Sequence, residues 1–330
     1  MKVMRRRTAC SALVLLAASP VVLAQIVGRT ARIGFLIENP LDEGARRAAL
    51  EPFRRGLREL GYIEGQNIVL EIRSAGGKNE LLKPLMNELL QLKLDVLVTA
   101  LPAAAMTAKN ATRTLPVVAV GVDNPVDTGL AATMARPGGN ITGISSWAGE
   151  LVAKRLQLVR ELVPSVRRVG ILSNPNAVPR TDLERGIPEW ERMSGRQIRV
   201  YEARVLDEFD AAFAAMARDG VGALVVLGDG NTYTNRARLN ELCLQRRMPS
   251  VWPGRDFLTG GGLASYQSDI PTIYLRAATL VDSILKGRKP GEIPFEQATK
   301  LELIVDKRAA KALGITVPQA LLLAADEVFE

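Results

Sequence analysis

Short apolar runs punctuate the chain from Arg32 onward, and segments with a helical repeat separate them. The runs predict strands at Arg32–Ile37, Asn67–Ser74, Asp95–Ala100, Pro116–Gly121, Arg168–Asn174, Gln197–Ala203, Ala223–Asp229 and Pro249–Trp252. Val96-Leu97-Val98 and Leu224-Val225-Val226-Leu227 are apolar at every position, which suits strands covered on both faces in a parallel sheet. Val152, Leu156, Val159 and Val163 recur at helical spacing, as do Ile273, Ala277, Leu280 and Ile284, so each set marks one face of a helix. Pro52 and Pro84 leave the starts of two earlier helices open.

Alternating strands and helices imply doubly wound sheets. The alternation runs twice, around a Pro- and Gly-rich stretch from Asp123 to Gly143 read as irregular. The second set leads through Gly260-Gly261-Gly262, read as a turn or hinge, into an extended Leu263–Gln267 and another helix. The expected fold is therefore α/β: two doubly wound, Rossmann-like lobes with parallel sheets, joined by a hinge of several crossings. Residues 25–145 with 258–298 are expected in the first lobe, and 146–257 with 299–330 in the second.

The N-terminus changes the picture of where the protein works. A basic stretch, Met1 to Arg7, precedes an apolar run from Ala9 to Ala24 that falls short of the about 20 residues needed to span a bilayer. A small residue closes the run, which predicts a signal peptide over residues 1–24, cleavage after Ala24 and a periplasmic mature chain; an uncleaved anchor is the alternative. Cys10 stands at the start of the run, not at the end where a lipid anchor would need it.

Cleavage removes Lys2, Arg5, Arg6, Arg7 and no acids, lowering the formal charge from +8 to +4. The remaining basic residues are interleaved with acids, as in Arg54, Arg55, Arg58 and Glu59, so no nucleic-acid partner is expected. Cys243 is then the one cysteine left, which excludes an intrachain disulfide. With 47% hydrophobic residues, each lobe can bury its own core.

The chain contains no histidine, which excludes histidine-dependent nucleophilic catalysis and histidine-ligated zinc. Cys243 sits between leucines on a predicted helix and reads as an inert buried thiol. Ser283 and Lys286 have serine-x-x-lysine spacing, but they close a helix where such enzymes need them to open one. Neither a dinucleotide fingerprint nor a calcium loop is present, so no cofactor or metal is expected and the chain reads as a non-enzyme; acid–base chemistry from Asp and Glu alone stays open.

Doubly wound sheets bind ligands beyond the carboxyl ends of their strands. That rule selects Glu38 and Asn39, then Thr99, Ala100 and Leu101, then Asp123 and Asn124 on the first lobe. On the second it selects Ser173, Asn174 and Asn176, then Asp229 to Tyr233, then Trp252 to Asp256. The candidate ligand-binding residues are Asn39, Thr99, Ala100, Leu101, Asp123, Asn124, Asn174, Asn176, Asp229, Tyr233, Trp252 and Tyr266.

Pro102 suits the first position of a helix whose next amides would point outward at a carboxylate, and the alanines after it permit close approach. The plainer alternative is that Thr99 caps that helix. Asn174-Pro175-Asn176 and Gly228-Asp229-Gly230-Asn231 offer oxygens to an ammonium or hydroxyl, although such residues equally serve as caps and turns. Asp123 and Asp229 are the candidate carboxylates for a cationic group. Tyr233, Trp252 and Tyr266 fall at or after strand ends, where they would stack on a planar ligand or else pack in the lobes.

Several stretches carry a family resemblance: Ile33-Gly34-Phe35-Leu36, Phe53 through Gly61-Tyr62 followed by Glu64-Gly65-Gln66-Asn67, and Ala135-Arg136-Pro137-Gly138-Gly139-Asn140-Ile141-Thr142-Gly143. Lys154-Arg155-Leu156, Gly261-Gly262-Leu263 with Ser265-Tyr266, and the tail from Lys300 to Ala325-Asp326-Glu327 extend it over nearly the whole mature chain. The sequence resembles the ABC-transporter substrate-binding family of the tryptophan-binding-like type, a branch of the type I periplasmic binding fold. The chain departs from that family at Asn124, where Asp-Pro-Val is usual, and at Leu101, where a glycine often follows the third strand. The resemblance implies an amino-acid-like small-molecule ligand, and membrane permease and ATPase subunits of an importer as partners of a monomer. The alternative is an exported ligand-sensing domain that docks on a membrane receptor.

Overall fold

A computed structural model describes residues 30–42, 44, 46–146, 148–178 and 180–330. The expected signal peptide over residues 1–24 lies outside them.

The first sheet contains β1 (Ala31–Ile37), β2 (Ile68–Ser74), β3 (Val96–Ala100), β4 (Val117–Val122), β5 (Ile141–Ser145) and the short β11 (Glu296–Gln297), in the order β11-β5-β4-β3-β1-β2. All its pairings are parallel, which suits strands whose residues are apolar on both faces. Helices α1 (Glu51–Glu59) and α9 (Ile270–Leu285) cover one face; α2 (Leu82–Gln91) and α3 (Pro102–Ala111) cover the other. On the first face Phe35 meets the Phe53 ring edge-on at 5.3 Å and stacks on Tyr274 at 5.9 Å. On the second, Leu36 and Leu97 pack against Met86, Ala104 and Ala108.

The second sheet contains β6 (Arg168–Ser173), β7 (Gln197–Glu202), β8 (Ala223–Val226), β9 (Ser250–Trp252), β10 (Ala264–Ser268), β12 (Leu301–Asp306) and β13 (Glu327–Phe329), in the order β13-β12-β10-β9-β8-β6-β7. It is parallel except where β10 and β12 run antiparallel. Helices α4 (Ala148–Leu162) and α5 (Arg180–Ser194) cover one face; α6 (Glu208–Arg218), a short α7 (Gly230–Thr234) and α8 (Arg236–Gln245) lie on the other. The expected helix faces are the buried ones: Val152, Leu156 and Val159 on α4, and Ile273, Ala277, Leu280 and Ile284 on α9.

Three boundaries differ from expectation. The stretch read as irregular contains β5, where Gly143 lies so close to β4 that a Cβ would fall 1.8 Å from the Ala119 carbonyl oxygen. Only glycine fits there, and the glycine hid the strand. β8 ends at Val226, because Asp229 begins a helix. β10 pairs with β9 and β12, so the chain remains in the second sheet until Ser268, and residues 258–268 pack there and not in the first lobe. The glycine run closes a turn, with Gly261 at φ +110°, before β10 begins.

The chain passes between the sheets after β5, after β10 and after β11. Asp269 stands in the second passage, where its carboxylate accepts the Thr272 N–H and pairs with Lys300 Nζ at 2.6 Å. Its own amide donates to the Lys300 carbonyl, stitching the second passage to the third. Burial pulls the Asp269 carboxyl upward, but Lys300 and the Thr272 N–H outweigh it and hold it below its ordinary 3.8. Losing the cap in Asp269→Ala is expected to cost about 1 kcal/mol in denaturant titrations. Because the pKa is depressed on folding, that contribution is present at neutral pH and disappears as the pH falls through the carboxylate range.

Candidate functional site

Residues beyond the carboxyl ends of β1 and β2 meet residues beyond the carboxyl end of β8 across the interface between the lobes. Glu38 follows β1 and is 1% exposed. Its Oε2 accepts the N–H of Ala103 in the first turn of α3, and its Oε1 accepts the N–H of Gly230 in the first turn of α7, each at 3.3 Å. Two helix starts, one per lobe, thus meet on one carboxyl group. Burial, with a smaller push from Asp229, raises its pKa to about 7 against the opposing N–H of Gly230, the N–H of Ala103 and the Asn79 side chain.

Asp229 caps α7: Oδ1 accepts the Thr232 N–H at 2.7 Å, and Thr232 Oγ1 accepts the Asp229 N–H in return. Its Oδ2 is buried without a hydrogen-bond partner. Burial raises this carboxyl too, opposed by Thr232, Asn174 and Asn231.

Backbones touch beside this carboxylate pair. A Cβ on Gly230 would lie 2.8 Å from Gly77 Cα, and one on Gly77 would lie 2.6 Å from the Gly230 carbonyl oxygen. Farther out, the Tyr233 hydroxyl lies 2.8 Å from Asp256 and 3.2 Å from Asp42, and the Arg236 guanidinium reaches Asp42 at 3.0 Å. These contacts join the loop after β1 to α7 and α8, so the lobes meet across the cleft.

The expected residues sort clearly. Thr99 does not cap α3: the helix begins after Leu101 with no side-chain cap, and Thr99 Oγ1 is buried and unpaired. Asn39 Oδ1, Asn79 Oδ1, Ser173 Oγ and Asn231 Nδ2 are likewise buried without partners. All lie at or beyond the carboxyl ends of strands. Ala100 is buried at the end of β3. Leu101 takes φ +76° and ψ 165°, a conformation that normally needs glycine, which accounts for the family glycine there and leaves this leucine strained beside the cleft. Asp123 is half-buried at the end of β4, its carbonyl accepting from Ser145.

Other expected residues make contacts within the protein. Asn124 caps its own turn, with Oδ1 accepting from Val126 N–H and Nδ2 donating to Asp127. Asn174 holds an Asx turn through the N–H of Asn176, and Asn176 is exposed. Trp252 is fully buried inside the second lobe, its indole N–H donated to Ser250 and its ring stacked on Phe257 at 5.1 Å. Tyr266 packs half-buried on the α4 side of the second sheet, its carbonyl accepting from buried Arg155. Tyr233 reaches the cleft, but Arg236 covers one ring face at 4.4 Å and Phe257 abuts the ring edge-on. All three rings thus have packing partners within the protein.

Asn79, Gly77, Asp42 and Arg236 were absent from the expected set. The Gly76-Gly77 pair just after β2 was the available signal, because paired glycines at a strand end permit close backbone approach. Among the described residues no group of three or more Asp, Glu or Cys side chains could hold a metal ion. Among the same residues no helix is long and apolar enough to cross a membrane.

The sequence pattern of the family described as ABC transporter substrate binding protein matches residues 36–329. A tyrosine-binding protein of Clostridioides difficile is 22% identical over 86% of this chain and 80% of its own length. A conserved domain protein of Vibrio cholerae is 25% identical, over 91% of this chain and 100% of its own, with a TM-score of 0.83. An ABC domain from Streptococcus pneumonia, solved in complex with L-Trp, is 23% identical over the same shares, also with a TM-score of 0.83. The fold is thus that of solute-binding proteins.

Proposed function

The chain belongs to the family of ABC transporter substrate binding proteins, whose members bind solutes and are not enzymes, and from that premise we propose that it captures an amino-acid-like ligand between its lobes for import. The observation that carries the reading is the set of unpartnered, buried polar atoms around the cleft: Thr99 Oγ1, Ser173 Oγ, Asn39 Oδ1, Asn79 Oδ1 and Asp229 Oδ2. Acceptors predominate in that set, and two of the residues in the cleft, Glu38 and Asp229, are acids. Such a lining suits a ligand rich in N–H donors, above all an ammonium group.

Thr99, Ala100, Asn39, Asp123 and Asp229 are the residues assigned to the ligand, while the start of α3 is taken by Glu38. A tyrosine-binding relative and an L-Trp complex support an aromatic side chain. Capture stabilises the closed arrangement because both sets of loops reach the ligand only there. After export directed by the N-terminal segment, the bound form docks from outside the cytoplasm on a membrane permease, whose ATPase subunits drive import.

Calorimetric titration against the free amino acids checks this. Stoichiometric, saturable heat is expected for at least one, with L-tryptophan or L-tyrosine among the tightest. Silence across the panel, or chemical conversion of a bound amino acid, would reject the reading.

A further inference from the structure

One group in the cleft is used by the lobes themselves. Glu38 is held at once by the first turn of α3 in its own lobe and by the first turn of α7 in the other. It therefore occupies, as part of the protein, the place between two helix starts that an anion from outside would take. Facing it is Asp229, a second carboxyl from the opposite lobe. Two neighbouring buried carboxylates cannot both be ionised cheaply, so bringing the lobes together favours protonation of one of them.

We propose that Glu38 is a proton-operated latch: protonated, it holds the two lobes shut without ligand, and ionised, it lets the cleft open for loading. This deepens the two-lobe capture reading and rests on it.

Burial of Glu38 fixes the direction of the effect, outweighing the groups that face it. They are the Asp229 carboxyl, the N–H groups of Ala103 and Gly230, and the Asn79 side chain, while the Asp42, Arg236, Tyr233 and Asp256 cluster lies at another part of the same interface. Opening removes the Gly230 N–H and Asp229 and returns the carboxyl to water, where its ordinary value is 4.5 against about 7 in the closed form. A raised pKa in the closed form means that closure is favoured most at acid pH. It is lost as the pH rises through about 7. The ratio of closed to open protein should fall on the order of 100-fold between about pH 5 and about pH 8. A ligand ammonium entering beside Glu38 and Asp229 would take over the proton's role, so binding near neutral pH should release a proton.

Spin labels at Leu81→Cys and Val205→Cys, exposed sites beyond the carboxyl ends of β2 and β7, report the distance between lobes, and the native Cys243 is too buried to label. Without ligand, pulsed electron resonance is expected to show the short distance at about pH 5 and a growing long-distance population with a midpoint near 7. Glu38→Gln should keep the short distance throughout, since the amide carries no charge to expel. An inter-lobe distance independent of pH in the labelled protein with Glu38 intact, which needs no variant at this position, overturns the latch. So does a Glu38→Gln protein that opens with the same midpoint. Titrating the same samples with L-tryptophan and L-tyrosine separates the two claims: binding without a pH-dependent distance removes the latch and leaves capture intact, whereas no binding removes capture itself.

Discussion

Asp229→Ala is expected to weaken binding of the tightest amino acid by about 100-fold or more. Its Oδ2 is a buried acceptor with no partner inside the protein, set at the end of the second lobe where Glu38 and the cleft begin. Removing one member of a buried charge pair typically costs about 2–5 kcal/mol, because the partner loses its counter-charge. The substitution also removes the α7 cap on the Thr232 N–H, worth about 1 kcal/mol of stability. Asp229→Asn separates these effects, since its side-chain oxygen can still cap while the charge is gone. Calorimetry should find binding nearly as weak in the asparagine variant, with most of the lost melting temperature recovered. Affinity within threefold of the parent in Asp229→Asn would assign the residue to the cap alone.

Gly230→Ala should block closure without harming either lobe. The added methyl would lie 2.8 Å from Gly77 Cα, and backbone cannot yield as a flexible side chain does. Nothing in its own lobe objects, because alanine favours the first turn of a helix more than glycine does. Ligand affinity is therefore expected to drop at least tenfold while thermal unfolding is unchanged or slightly raised. Gly77→Ala should cost closure as well, together with roughly 1 kcal/mol of local stability, because Gly77 has φ +81°. Undiminished affinity in Gly230→Ala would show that the Gly77–Gly230 contact is absent from the ligand-bound state.

The architecture was legible because parallel strands in two-sided sheets are apolar at every position. β1, β3, β6 and β8 announce themselves that way. β5 did not, since Gly143 interrupts it for the sake of its neighbour, and the antiparallel β12 falls outside any strand-helix rhythm. Topology alone selected Thr99, Asp229 and Glu38, through the rule that such sheets bind ligands where strands end.

The aromatic residues show the limit of that rule. Trp252 also ends a strand, yet its side chain points into the lobe, and which way a strand-end side chain turns depends on neighbours such as Phe257 that lie elsewhere in the sequence. Asn124 carries the right chemistry, but the Val126 amide and Asp127 claim it first. Glu38 could be placed but not its raised pKa, which comes first from burial and to a smaller extent from Asp229 in the other lobe.

A crystal structure with the tightest-binding amino acid seated tests capture between the lobes most directly. The ligand is expected in the cleft, its ammonium within hydrogen-bond reach of Asp229 Oδ2 and its other polar groups satisfying Thr99 and Ser173. Density for the amino acid on an outer face, with those oxygens still unpaired, would contradict it.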